Sequence, residues 1–346
     1  MINAIDPLKP VYAYQFPYWK WPIVRQCFPD SKVIFVEKVT AVAEGAYIVL
    51  WGMKPLPDGL PAMVSVLRIE DGFIRSVGLG ADLIKPLSWV MDEQGIYYDA
   101  TRPSDLETLC LNTQFDDRLL ERAAALRLKI VASNLTKYNV GAKQWQRPKH
   151  VSNVILVPGQ VESDASLAYG APVERTNMGL LRAVRSANPE TYIVYKPHPD
   201  VLARLRIAGQ DEDSASRWCD EVITDVGMGD LLSQVDEVHV LTSLTGFEAL
   251  LRQKSVTCYG QPFYSGWGLT HDLTTNTRRS RCLTLNQLVA VALIKYPLYL
   301  SREGKHLITP EQALDEMLSW QRTVKVGTPW WREVCRFFIR RIAGVK

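Results

Sequence analysis

Short runs of apolar, often β-branched residues recur along the chain. Between them lie stretches whose apolar residues are spaced by three and four, and this alternation is the one that builds α/β layers. In the first half, Val33–Val36, Tyr47–Trp51 and Val64–Ile69 predict strands. Ser104-Asp105-Leu106-Glu107 has capping-box spacing and predicts a helix running toward Leu126. Residues 137–150 are polar, contain Arg147-Pro148-Lys149 and read as a linker. The strand pattern then restarts at Val154–Val157, Thr191–Tyr195, Val238–Leu241 and Val256–Tyr259, with a helix over Gly179–Ala187. Thr309-Pro310-Glu311-Gln312 opens another helix, with Thr as cap and Pro at the first position. The expected architecture is α/β: two Rossmann-like domains facing a central cleft, with ligands beyond the carboxyl ends of the strands. The expected divisions are 1–147, 148–324 and a tail helix over 325–346.

The length of 346 residues supports two domains at roughly 150 residues each. No charged leader with an apolar core opens the chain, and no run approaches the length of a membrane span, so a cytoplasmic protein is expected. The six cysteines are scattered and read as small core residues in a reducing compartment. A net charge of +3 excludes a dedicated nucleic-acid binder, but it is unevenly spread. Residues 325–346 hold six basic residues and only Glu333 as acid, a local +5, which leaves −2 for the rest. In that tail Trp330, Val334, Phe337, Phe338 and Ile342 recur at helical spacing between arginines. The pattern suits an amphipathic helix lying on an anionic inner-membrane surface, a reading we prefer to packing on the body.

Polar residues gather at the strand ends. After Val64–Ile69 come Glu70-Asp71-Gly72 and Arg75; strand alternation points one of the two acids at the cleft, and Glu70 is the choice as proton donor or acceptor. After Val154–Val157, the run Pro158-Gly159 leads to Gln160, Glu162, Asp164 and Ser166 at alternating positions. These acids suit chemistry on a sugar centre, and equally a helix cap at Ser163 or Asp164. Lys196-Pro197-His198-Pro199 locks a histidine between prolines beside a lysine, a fixed donor for phosphate or carboxylate. Ser243 and Thr245 precede or open a helix and aim hydroxyls and N–H groups at an anion; Thr245 to Glu248 also has capping-box spacing, and Glu248 can instead reach a ribose. Tyr264, Ser265 and Trp267 lie in a Gly/Pro/aromatic loop suited to stacking on a base or sugar, or to packing. Asp211-Glu212-Asp213 reads as a solvated loop rather than a metal site.

These segments together resemble the bacterial capsule-polysaccharide synthesis family, of the KpsC/LipA type of β-Kdo glycosyltransferases, where Kdo is 3-deoxy-manno-octulosonic acid. The resemblance rests on Glu70 through Gly80, Leu87-Ser88-Trp89-Val90, Gly95-Ile96-Tyr97-Tyr98-Asp99, Val157–Ser166, Lys196-Pro197-His198-Pro199 and Gln261–Leu269. The chain is also similar to bacterial sialyltransferases, with Glu70-Asp71-Gly72 and His198-Pro199 in the places of their acidic and His-Pro motifs. The resemblance implies a GT-B-like fold, CMP-Kdo as donor substrate with no cofactor or metal, a glycan or lipid-linked acceptor, and retention of configuration. On that basis Asp164 is expected as nucleophile and Glu70 as acid/base. His198, Lys196, Ser243 and Thr245 would hold the donor phosphate, and Arg75 the sugar carboxylate. The alternatives are a CMP-sialic-acid-type transferase and a non-catalytic capsule assembly or export factor.

Overall fold

A computed structural model describes residues 5–76, 86–137, 141, 143–302 and 306–324. The expected tail helix over 325–346 and the Val77–Gly80 part of the glycine-containing motif lie outside these residues. The described fold is a mixed α/β arrangement around two sheets.

The first sheet contains β1 (Val11–Tyr14), β2 (Val33–Val36), β3 (Tyr47–Trp51), β4 (Ser65–Asp71) and β5 (Ser88–Asp92). The second contains β6 (Val154–Pro158), β7 (Tyr192–Lys196), β8 (Glu221–Val222), β9 (Glu237–Val240), β10 (Ser255–Cys258) and β11 (His271–Asp272). Two late strands, β12 (Pro297–Leu300) and β13 (Leu307–Ile308), return to the first sheet, whose order is β13-β12-β5-β4-β3-β1-β2. Sheet membership therefore crosses the division expected at 147/148. β1 to β4 run parallel, whereas β5, β12 and β13 join antiparallel. The second sheet, β11-β10-β9-β6-β7-β8, is parallel throughout. All five residues of β6 are buried, as an apolar strand covered on both faces should be.

The helix expected from Ser104 is two helices, Asp105–Asn112 and Asp117–Ala132. Asp116 interrupts them because its carboxylate caps the second, accepting the Leu119 N–H at 2.8 Å. The Ser104 hydroxyl accepts the Glu107 N–H as expected, but the Glu107 carboxylate turns to Arg278 (2.7 Å) and Arg279 (3.3 Å), tying the two halves. At Thr309 the reciprocal cap does form: Gln312 N–H to the Thr309 hydroxyl, and Thr309 N–H to the Gln312 side chain. The segment read as a linker is docked: Trp145 is buried, and Arg147 pairs with Asp236 at 2.8 Å. One apolar cluster runs through both halves; within it Phe73, just past β4, stacks on Phe263 at 4.3 Å. No helix among the described residues is long and apolar enough to cross a membrane.

Candidate active site

The carboxyl ends of β3, β4, β6, β7 and β9 converge on one cavity of about 510 Å³, lined from both halves of the chain. A parallel strand releases its backbone donors and side chains at this end, so the convergence follows from topology. Lining it are Glu70, Arg75, Gln160, Asp164, Lys196, His198, Ser243, Thr245 and Glu248.

Glu70 lies one residue before the end of β4. Its Oε1 accepts the Asp71 N–H at 3.0 Å, and Tyr98 Oη donates to its Oε2 at 3.4 Å. Burial, then the Asp71 charge beside it, raises its pKa to about 8, with the Asp164 charge acting the same way, so Glu70 holds a proton at neutral pH. Asp71 lines the cavity too, against the expectation that alternation turns it away. The strand ends there, and Arg75 draws the Asp71 carboxylate round in an ion pair of 2.6 Å. Arg75 is therefore already paired where it meets the cavity.

Asp164 is both cap and cavity residue. Its Oδ1 accepts the Ser166 N–H at 2.9 Å at the start of the helix Ala165–Gly170, and the residue is exposed at the cavity. Glu162 is structural: its carboxylate accepts the Asn177 and Gln210 N–H groups. Gln160 clamps two strand ends, donating to Thr242 Oγ1 at 3.0 Å and accepting the Thr242 N–H at 2.9 Å.

His198 caps the helix Pro199–Leu202, its Nδ1 accepting the Asp200 N–H at 3.2 Å. Burial, followed by the Lys137 charge, lowers its pKa to about 3, so the ring is neutral. With Nδ1 accepting, the proton resides on Nε2, which makes the imidazole a donor. Lys196 is buried at the end of β7 and donates to the Thr224 carbonyl at 3.4 Å; burial lowers its pKa. Ser243 caps the helix Leu244–Leu251, its hydroxyl accepting the Thr245 N–H at 3.2 Å. The Thr245–Glu248 box does not form. Glu248 Oε1 instead accepts the Lys137 N–H at 2.6 Å, and burial raises its pKa to about 7.

Tyr264, Ser265 and Trp267 are not among the cavity residues; all three are buried. Tyr264 Oη donates to the Ser243 carbonyl, Ser265 Oγ to the Pro262 carbonyl and Trp267 Nε1 to the Phe263 carbonyl. The loop packs inward, and its neighbours Pro262 and Phe263 reach the cavity in their place. The structure adds Lys20, Trp19, Trp51, Tyr97, Tyr98, Lys137 and Arg206 to the lining. Of these, Tyr97 and Tyr98 stood in a motif noted above, whereas Lys20, in Tyr18-Trp19-Lys20-Trp21, carried no spacing signal. Among the described residues, no group of three or more His, Cys, Asp or Glu could hold a metal ion.

The family model described as capsule polysaccharide biosynthesis protein matches residues 48–118 and 114–299. Capsule polysaccharide modification protein LipA of Neisseria meningitidis is 43% identical over 97% of this chain and 49% of its own length. Lipopolysaccharide-processing protein LpsZ of Rhizobium meliloti is 39% identical over 81% of this chain and 68% of its own. The chain thus spans about half the length of LipA. Two solved structures of Thermosulfurimonas dismutans KpsC superpose with a TM-score of 0.74. The β-Kdo 2,7 transferase is 37% identical, covering 90% of this chain and 100% of that one. The β-Kdo 2,4 transferase is 31% identical, covering 89% and 98%.

Proposed function

Because this chain belongs to the capsule polysaccharide biosynthesis protein family, we propose that it is a GT-B-like glycosyltransferase that moves Kdo from CMP-Kdo to a glycan or glycolipid acceptor. One observation carries the reading. A single cavity between the halves gathers a protonated glutamic acid, an exposed aspartate and the donors of three strand ends. The Kdo transferase activity named for both KpsC structures supports the choice of sugar.

The proposed chemistry is a double displacement with retention. The Asp164 carboxylate attacks the anomeric carbon; a C–O bond to Asp164 forms as the bond to the CMP phosphate breaks, and Glu70 gives its proton to the departing phosphate oxygen. The acceptor hydroxyl then attacks the same carbon, the bond to Asp164 breaks, and the ionised Glu70 takes the hydroxyl proton. Glu70 ends as it began. His198 Nε2, Lys196 and the Ser243–Thr245 helix start hold the phosphate, with no metal invoked. Arg75 takes the sugar carboxylate in exchange with Asp71.

The test is CMP release from CMP-Kdo and, side by side, from CMP-sialic acid, over a panel of glycolipid acceptors. Preference for CMP-Kdo, its loss in Asp164→Ala and Asp164→Asn, and a protein–Kdo adduct by intact mass are expected. Near-normal turnover in either variant removes Asp164 as nucleophile, and no release with any acceptor removes the transferase reading.

A further inference from the structure

We propose that Lys20 is a positioning residue acting through Glu70: its ammonium, caged by tryptophan rings in the wall of the cavity that Glu70 shares, governs how readily the Glu70 carboxyl cycles between acid and base. The inference rests on the reading of Glu70 as the acid/base group.

Lys20 ends a short turn, Tyr18–Lys20, and keeps only 8% of its surface exposed although it carries a charge. Its Nζ lies 2.6 Å from the ring centroid of Trp51, 5.1 Å from that of Trp19 and 6.0 Å from that of Trp89. Aromatic faces attract a cation electrostatically, so the cage offsets part of the cost of burying it. Among the described residues Lys20 makes no ion pair within 4.0 Å. Rings rather than a carboxylate therefore hold the ammonium, and it does not collapse onto the acids that share its cavity.

One dipeptide seats both partners. Trp51 ends β3, and its ring holds Lys20. The next residue, Gly52, leaves room for Glu70: a Cβ there would stand 2.7 Å from Glu70 Oε2 and 2.7 Å from Tyr98 Oη. The groups that act on Glu70 are Asp71, Asp164, Tyr98, Tyr97 and Lys20. Both carboxylates oppose its ionisation, while the Lys20 charge favours it. Arg75 is held by Asp71. Once Glu70 has given up its proton, its carboxylate stands near two other acids, and Lys20 is the fixed cation that makes this state reachable. Burial in turn lowers the Lys20 pKa to about 8, and Asp71 and Glu70 resist that fall.

The experiment is a carboxyl-carbon NMR titration of the full chain labelled at glutamate, with the Glu70 signal identified by its loss in Glu70→Gln. Lys20→Met should raise the Glu70 midpoint by about one pH unit, the size expected when an opposite charge is withdrawn. Lys20→Arg, which keeps the charge and stacks on tryptophan, should leave it near the wild-type value. Lys20→Gln repeats the charge loss with a polar side chain, should Lys20→Met fold poorly. An unmoved midpoint in a folded Lys20→Met or Lys20→Gln overturns the proposal, as does an equal shift in Lys20→Arg. With CMP-Kdo as donor, the pH profile of kcat should move with the midpoint. If the wild-type chain releases no CMP, the proposed activity fails, yet the titration still decides whether Lys20 governs Glu70.

Discussion

Replacing Gly52 by alanine tests the seat of Glu70 with a single methyl group. Gly52 has φ of +49°, where an L side chain costs about 1–2 kcal/mol. At about 2.1 cal/mol/K of unfolding entropy per residue, a chain of 346 residues converts that into a fall in Tm of about 1–3 °C. The larger effect is local. The new Cβ would stand 2.7 Å from Glu70 Oε2, whereas ordinary contact begins at 3.4 Å, so the carboxyl or its support must yield by the 0.7 Å difference. A displacement near 1 Å at a reacting group costs about 100-fold in rate, so kcat for CMP release should fall by about 10- to 100-fold. Gly45→Ala is the matched control: φ is +68°, and nothing lies within 4 Å of the added Cβ. It should show a comparable fall in Tm and near wild-type turnover. The assay is CMP release at saturating CMP-Kdo beside calorimetric Tm. Undiminished kcat in a folded Gly52→Ala would refute the claim that the glycine fixes the proposed acid/base group.

Glu248 gives a prediction about pH. Its pKa rises from 4.5 to about 7 on folding, so across that interval the folded chain keeps a proton that the unfolded chain releases, and stability falls as pH rises. Glu248→Gln should flatten the fall of unfolding free energy with pH, by at most about 3 kcal/mol, leaving the same-signed contribution of Glu70; an unaltered slope contradicts this. Glu107→Ala leaves the buried Arg279 its hydrogen bonds to Pro262 and Ser265 but no paired carboxylate, and should cost about 3–5 kcal/mol in chemical denaturation; a loss below 1 kcal/mol would show that the pair is replaceable by water. Deleting residues 325–346 should reduce co-sedimentation with anionic vesicles while donor turnover persists, and unchanged partition would discard the membrane role of the tail.

The strands announced by dense apolar runs appear within two residues of their expected limits, because runs such as Val154–Val157 leave little alternative to a doubly covered strand. What depends on distant partners was not legible. Pro297–Leu300 reads as a short apolar stretch, and pairing with Ser88–Asp92 and Leu307–Ile308 makes it a strand. Asp164 is the helix cap that one reading expected, and because the capping bond occupies a single carboxylate oxygen the same side chain also lines the cavity. The Tyr264–Trp267 loop has the same glycine-aromatic texture whether it faces ligand or core, and the Tyr264 hydroxyl that helps turn it inward donates to the Ser243 carbonyl, far outside the motif. Lys20 is invisible to periodicity because its cage is assembled from Trp19, Trp51 and Trp89, on three different elements or turns.

The return of Pro297–Leu300 to the first sheet also sets a timetable for synthesis. Its neighbour in that sheet ends at Asp92, some 205 residues earlier. At about 5–20 residues per second, a nascent chain spends about 10–40 s with the edge of Ser88–Asp92 bare. During that interval Trp89, fully buried in the finished protein, lies on an open strand able to pair with a neighbouring chain. The second sheet, whose strands are contiguous between Val154 and Asp272, can close first. The half bearing Glu70 is then the last to be completed, so a truncated or stalled chain would carry the cavity's second-sheet strand ends without the finished wall that holds Glu70, and with an adhesive edge for chaperones to cover.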